Sequence, residues 1–157
     1  MFFSCRHKEL KTVDFVDLNK YSGRWYEIAT IPISAQRGCS CTFAEYTVTE
    51  KGYVKVYNQC KKGNATDSIT GKAFVKKGSG NSKLKVQFFW PFRADYYIIG
   101  LDENYQWAIV GHPSRNYLWF LSRTPKISEE LYQQLERKAT DQGFDVKRLV
   151  RTAQECN

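Results

Sequence analysis

Between positions 23 and 123 the chain is cut into eight short runs rich in β-branched and aromatic residues, each closed by a turn. They read GRWYEIATI (23–31), CTFAEYTVTE (41–50), YVKVYNQC (53–60), DSITGKAFVKK (67–77), KLKVQFFW (83–90), DYYIIGLD (95–102), YQWAIVGH (105–112) and NYLWFLSR (116–123). The connections are Gly-containing and short: Lys51-Gly52, Gly63-Asn64, and GSGNS before the fifth run. Consecutive strands joined this tightly form an antiparallel meander. Eight of them close most economically into an up-and-down barrel, because closure removes the exposed edges; a β-sandwich is the rival arrangement. One convincing helix follows, at 128–142, with Ser128 as N-cap, acids in its first turn, Leu131 and Leu135 on one face, and Gly143 at its end. The predicted class is therefore all-β, an eight-stranded antiparallel barrel with a C-terminal helix outside. One domain spans 1–157: a loose segment at 1–12, the barrel at 13–124, the helix at 128–142, and a C-terminal strand or tail at 144–157.

Side-chain alternation assigns the faces. In the fifth run Leu84, Val86 and Phe88 share the side opposite Lys83, Lys85 and Gln87, so the apolar set turns inward. In the third run Val54, Val56 and Asn58 lie opposite Lys55 and Tyr57. A carboxamide on an apolar inner face needs a hydrogen-bond partner, from the core, a water or a ligand. An eight-stranded barrel is wide enough to hold one small molecule, and 15% aromatic residues exceed what a minimal core needs.

Composition narrows the function. The net charge is +8, but Lys55, Lys72, Lys83 and Lys85 are spread singly along strands rather than gathered on a recognition helix. No nucleic-acid-binding module is recognisable, so the charge reads as a solvated surface suited to anionic ligands or membranes. No apolar run is long enough to span a bilayer, and the opening MFFSC lacks a full leader pattern. Five cysteines (Cys5, Cys39, Cys41, Cys60, Cys156) fit no zinc spacing, and His7 and His112 stand alone. Disulfides in an oxidising compartment, secreted or periplasmic, are the expectation. Cys5 is left over as free or lipid-bearing. Asn64-Ala65-Thr66 forms a glycosylation sequon.

Three stretches together carry a family resemblance: NKYSGRWYEIATIP (19–32), GLDENYQWAIV (100–110) and YLWFLSRTP (117–125). A Gly-x-Trp turn ahead of the first strand, an Arg at the end of the last, and a following helix resemble the lipocalins. Asp102 and Tyr105 echo the family's middle motif, from which Leu101 departs. GRWYEIA and GFDV are similar to the bacterial lipocalin and apolipoprotein D branch. The resemblance implies that Trp25 closes one barrel end beneath the Arg123 guanidinium, with Gly23 allowing the turn. It implies a ligand cavity bearing Tyr46, Asn58, Phe88, Tyr96 and Trp119, and a Cys41–Cys156 bridge. Cys39–Cys60 then completes the set, with Cys41–Cys60 and Cys39–Cys156 as the exchanged pairing. The function implied is non-catalytic carriage or sequestration of a small lipophilic molecule, without cofactor or metal, by a monomer or weak dimer, with an anionic membrane surface as a second partner. The alternatives are a lipocalin-type enzyme using Cys60 as a pocket thiol, and a membrane-maintenance role.

Overall fold

The structure, a computed structural model, describes residues 8–33, 38–89 and 91–156. Cys5 lies outside them. A one-turn helix α1 (Leu18–Tyr21) precedes eight barrel strands: β1 Gly23–Thr30, β2 Ser40–Val48, β3 Val54–Lys62, β4 Ala65–Val75, β5 Lys83–Gln87, β6 Ala94–Leu101, β7 Trp107–Gly111 and β8 Leu118–Ser122. Helix α2 (Glu129–Asp141), a 3-10 turn (Val146–Arg148) and a short β9 (Val150–Arg151) follow. Each strand pairs antiparallel with the next, and β1 pairs with both β8 and β2, which closes the barrel. β9 falls inside the C-terminal strand or tail expected at 144–157 and pairs with β1.

The strand ladder follows from alternation. Val54 and Val56 of β3, Ala73 of β4, Leu84 of β5 and Val110 of β7 all enter one interior cluster with Trp25. β5 is shorter than its apolar run suggests. It ends at Gln87, and Phe88 leaves the ladder to lay its ring on Gly71 of β4. A Cβ at Gly71 would sit 2.5 Å from the Gln87 carbonyl and 2.6 Å from the Phe88 ring, so only glycine admits this turn of the chain.

A second cluster lies outside the barrel, where α2 covers β7, β8 and β1. Tyr132, Leu135 and Ala139 form its buried stripe against Ile109, Leu118 and Phe120. The i, i+3, i+7 spacing fits a helix lying on a sheet; Leu131 flanks this stripe rather than centring it. The N-terminal segment is not loose from residue 8 onward. Leu10 is 2% exposed, the Thr12 hydroxyl accepts from Ser82 at 2.8 Å, and the Lys8 carbonyl accepts from Arg115.

Where β1 and β2 part company, the C-terminal tail takes their place. Their pairing ends at Tyr26 and Phe43. Beyond it Gln154 Nε2 donates to the carbonyls of Glu27 and Thr42, 2.8 Å each. The Thr152 N–H donates to Ile28 O at 2.9 Å and the Cys41 N–H to Ala153 O at 2.8 Å. Carbonyls and N–H groups that strand divergence would strand without partners are thus satisfied.

Candidate ligand-binding site

One barrel end is sealed by residues from three distant stretches. Asp17 caps α1, its carboxylate accepting from the N–H groups of Asn19 (3.0 Å) and Lys20 (3.3 Å). This holds α1 across the opening. Trp25 is fully buried and donates from Nε1 to Tyr21 O at 2.8 Å. The Arg123 guanidinium lies 3.8 Å from the Trp25 ring centroid. It also donates to three carbonyls: Tyr105 at 3.0 Å, Arg24 at 2.9 Å and Lys20 at 2.7 Å. The cation–π contact alone contributes about 0.5–2 kcal/mol, and the three charge-assisted bonds tie strand end, turn and helix into one seal. Gly23 has φ +97° and lies 3.5 Å, measured from an ideal Cβ, from Arg123 Nη1, so the chain turns closely beneath the guanidinium.

Just inside this seal three tyrosines form a hydroxyl chain. Tyr21 and Tyr96 hydroxyls are 2.6 Å apart, and Tyr96 donates to Tyr46 at 2.9 Å. Burial pushes all three phenols up, Tyr46 to about 12, so they stay protonated. Tyr46 and Tyr96, with Leu18, Tyr21, Val54 and Leu84, line an enclosed space of about 10 Å³, room for about one water. The sealed half is therefore packed.

The opposite half differs. Phe88 and Trp119 pack against the interior cluster yet stay only half-buried. Asn58, opposite Ala44 and on the same face as Val54 and Val56, is also half-buried, with no side-chain hydrogen bond among the described residues. These inward-facing residues still meet solvent, unlike those at the sealed end. The five candidate ligand residues thus fall into two groups: Tyr46 and Tyr96 on the packed floor, and Asn58, Phe88 and Trp119 on the wall above.

Two further polar groups face this wall, which the sequence reading missed. Glu27 alternates with Trp25 and pairs with Leu121 of the interior cluster; Thr42 alternates with Ala44 and Tyr46 of that same cluster. Glu27 is 6% exposed and Thr42 9%. Glu27 Oε2 accepts from the Thr152 hydroxyl at 2.6 Å, and Thr42 Oγ1 is buried without a partner among the described residues. Burial pushes the Glu27 carboxyl up, with the Thr152 bond opposing. The only signal for Glu27 in the sequence was an acid inside an otherwise apolar run.

Cysteine pairing is settled by strand geometry. Cys39 is joined to Cys60 (Cα–Cα 5.4 Å) and Cys41 to Cys156 (Cα–Cα 6.0 Å). Among the described residues no group of His, Cys, Asp and Glu could hold a metal. Outside the barrel a groove of about 510 Å³ runs between tail and α2, where Lys126 and Arg151 pair with Glu155 and Glu129.

A closed eight-stranded barrel, sealed at one end by an indole under a guanidinium and flanked by one helix, defines a calycin-type binding fold. The lipocalin-like domain model matches residues 16–154, and the chain belongs to the lipocalin family. It is 38% identical over 156 residues to temperature-induced lipocalin-1 of Arabidopsis thaliana, covering 94% of this chain and 84% of that protein. It is 39% identical over 143 residues to the outer membrane lipoprotein Blc of Escherichia coli K12, covering 88% and 79%. To apolipoprotein D of Macaca fascicularis it is 35% identical over 147 residues, covering 88% and 77%. Among solved structures, insecticyanin from the tobacco hornworm Manduca sexta superposes with a TM-score of 0.76 at 18% identity, covering 94% of this chain and 85% of that one.

Proposed function

We propose that the barrel carries or sequesters a small lipophilic molecule (a fatty acid, lysophospholipid, sterol or carotenoid) without chemistry upon it. The observation that carries this reading is the contrast within one lumen: a sealed, packed floor beneath a wall whose aromatic side chains stay accessible. Moving apolar ligand surface from water onto Phe88 and Trp119 supplies roughly 25 cal/mol per Å² buried. Membership of a family of binding barrels supports the same reading, and the two disulfides suit an oxidising compartment. An enzyme using a pocket thiol has less support, because Cys60, the inward-facing candidate, is bonded to Cys39.

Tryptophan fluorescence decides the matter. Adding a fatty acid or a retinoid is expected to quench or shift the emission with saturation. Trp119→Ala should weaken binding about tenfold, about 1.4 kcal/mol, with a melting curve close to the parent's. Flat titrations across several lipophiles would refute carriage.

A second partner follows from the mouth itself. The β5–β6 connection sits at the open end and exposes Phe89 (70%) and Phe92 (77%) beside Arg93 on a chain of charge +8. This arrangement supports docking of the mouth on an anionic bilayer, aromatic rings in the interface and cations against headgroups. Phe89→Ser/Phe92→Ser should cut co-sedimentation with phosphatidylglycerol vesicles about tenfold or more, and 0.5 M salt should weaken the parent too. Equal sedimentation of parent and variant would exclude this mouth-down contact.

A further inference from the structure

Above the sealed floor the lumen wall is apolar except at one place. Glu27 on β1 and Thr42 on β2 are neighbours: they follow the last β1–β2 pair, and a single Gln154 amide nitrogen reaches both their carbonyls at 2.8 Å. Both side chains share the inward face with Trp25, Ala44 and Tyr46. Neither is saturated. Glu27 has one bond, to Thr152 through Oε2, and its other oxygen takes none among the described residues. Thr42 is more than nine-tenths buried, and its hydroxyl has no partner among the described residues. Asn58, diagonal to Thr42 across β3, adds a third unpartnered polar group. Buried polar groups left open are costly, and folds retain them where something completes them.

The charge around this spot is one-sided. Among the described residues, the arginines of β1, β9 and the end of β8 are committed elsewhere: Arg24 to Glu45, Arg151 to Glu129, and Arg123 to three carbonyls at the seal. A carboxylate headgroup entering here would lose its water beside a buried carboxyl, with no free cation to compensate it among the described residues; a neutral hydroxyl or carbonyl oxygen would find a donor and acceptors at hydrogen-bonding reach. Resting on the carrier reading above, we propose that Glu27 and Thr42 form a polar subsite on the lumen wall that hydrogen-bonds an uncharged hydroxyl or carbonyl oxygen of the ligand and disfavours a carboxylate. The cargo class is then a neutral lipid, such as a fatty alcohol, sterol or ester, ahead of a free fatty acid. The position of the pair places that oxygen beside the β1–β2 seam, with the apolar chain running along Phe88 and Trp119.

The test titrates the full-length protein with 1-dodecanol and dodecanoate at pH 7, following tryptophan emission, and repeats both in Glu27→Gln and Thr42→Val. The parent should bind the alcohol about tenfold tighter than the acid. Glu27→Gln should shrink that ratio to about threefold or less, chiefly by tightening dodecanoate. Thr42→Val, which keeps shape and removes the hydroxyl, should weaken dodecanol about fivefold. Circular-dichroism melts establish that each variant folds, and Thr42→Val decides the question if Glu27→Gln does not. Binding of both probes with a ratio that neither variant moves would overturn the subsite and leave the carrier reading intact. Failure of both probes on the parent would instead remove the carrier reading, and the subsite with it.

Discussion

Trp25→Ala is expected to lower the unfolding free energy by about 3–5 kcal/mol, the range for emptying a large buried aromatic site. The indole is fully buried, donates to Tyr21 O, packs at a tilt against the ring of Tyr21 with centroids 5.0 Å apart, and supports the Arg123 guanidinium. Its loss removes all of these and leaves a cavity at a point where three chain segments meet. For a protein of this length each kcal/mol moves the melting temperature roughly 2–4 °C, so the midpoint should fall by about 6–20 °C. Arg123→Lys keeps the charge but cannot serve three carbonyls from a planar fork; it should cost about 1–3 kcal/mol. Urea unfolding of both variants checks the seal. A shift under about 1 kcal/mol for Trp25→Ala would mean that the barrel end stays closed without it.

The second large effect is expected at the other extremity of the chain. Cys41→Ser/Cys156→Ser should lose about 2–5 kcal/mol, since the bridge closes a loop spanning 115 residues. The loss should concentrate at the seam. The hydrogen bonds made by Thr152, Ala153 and Gln154 to β1 and β2 depend on the tail staying in register. Amide exchange at Cys41 and Thr152 should therefore quicken more than at Ile109 or Phe120, which lie under α2. Reductant added to the parent should reproduce this pattern, and reductant added to the double variant should add little at these amides. Uniform acceleration along every strand would contradict a local latch.

Strand number, closure and inward faces were legible because the strands repeat one two-residue alternation and several turns carry a glycine, at Gly52, Gly63 and Gly78. Leu84, Val54 and Val56 could be turned inward from that alone. What escaped the sequence had physical reasons. The end of β5 was misread because apolar character continues through Phe88 and Phe89 after the ladder stops; the deciding fact is the missing Cβ at Gly71, a residue on another strand. Glu27 was missed because an acid beside Tyr26 and Ile28 reads as solvent-facing, and the hydroxyl that accompanies it inside, Thr152, lies 125 residues away in sequence. The tyrosine chain joins residues 75 and 50 apart in sequence, a relation no local pattern encodes. Tail residues Thr152 and Gln154 have no periodic apolar signal, since they act through hydrogen bonds into a gap that exists only once the strands diverge.

That the seam is finished by residues 152–156 has a consequence for synthesis. Cys41 leaves the ribosome 115 residues before its partner, an interval of about 6–23 s at roughly 5–20 residues per second. Cys60 emerges far sooner, 21 residues after Cys39. During that interval both Cys39 and Cys41 compete for one thiol while the upper edges of β1 and β2 stand unpaired. A nascent chain of this kind is exposed to mispaired bridges and edge-to-edge association until residues 152–156 arrive, and wherever Cys41 has bonded Cys60 first, thiol exchange must undo that bond.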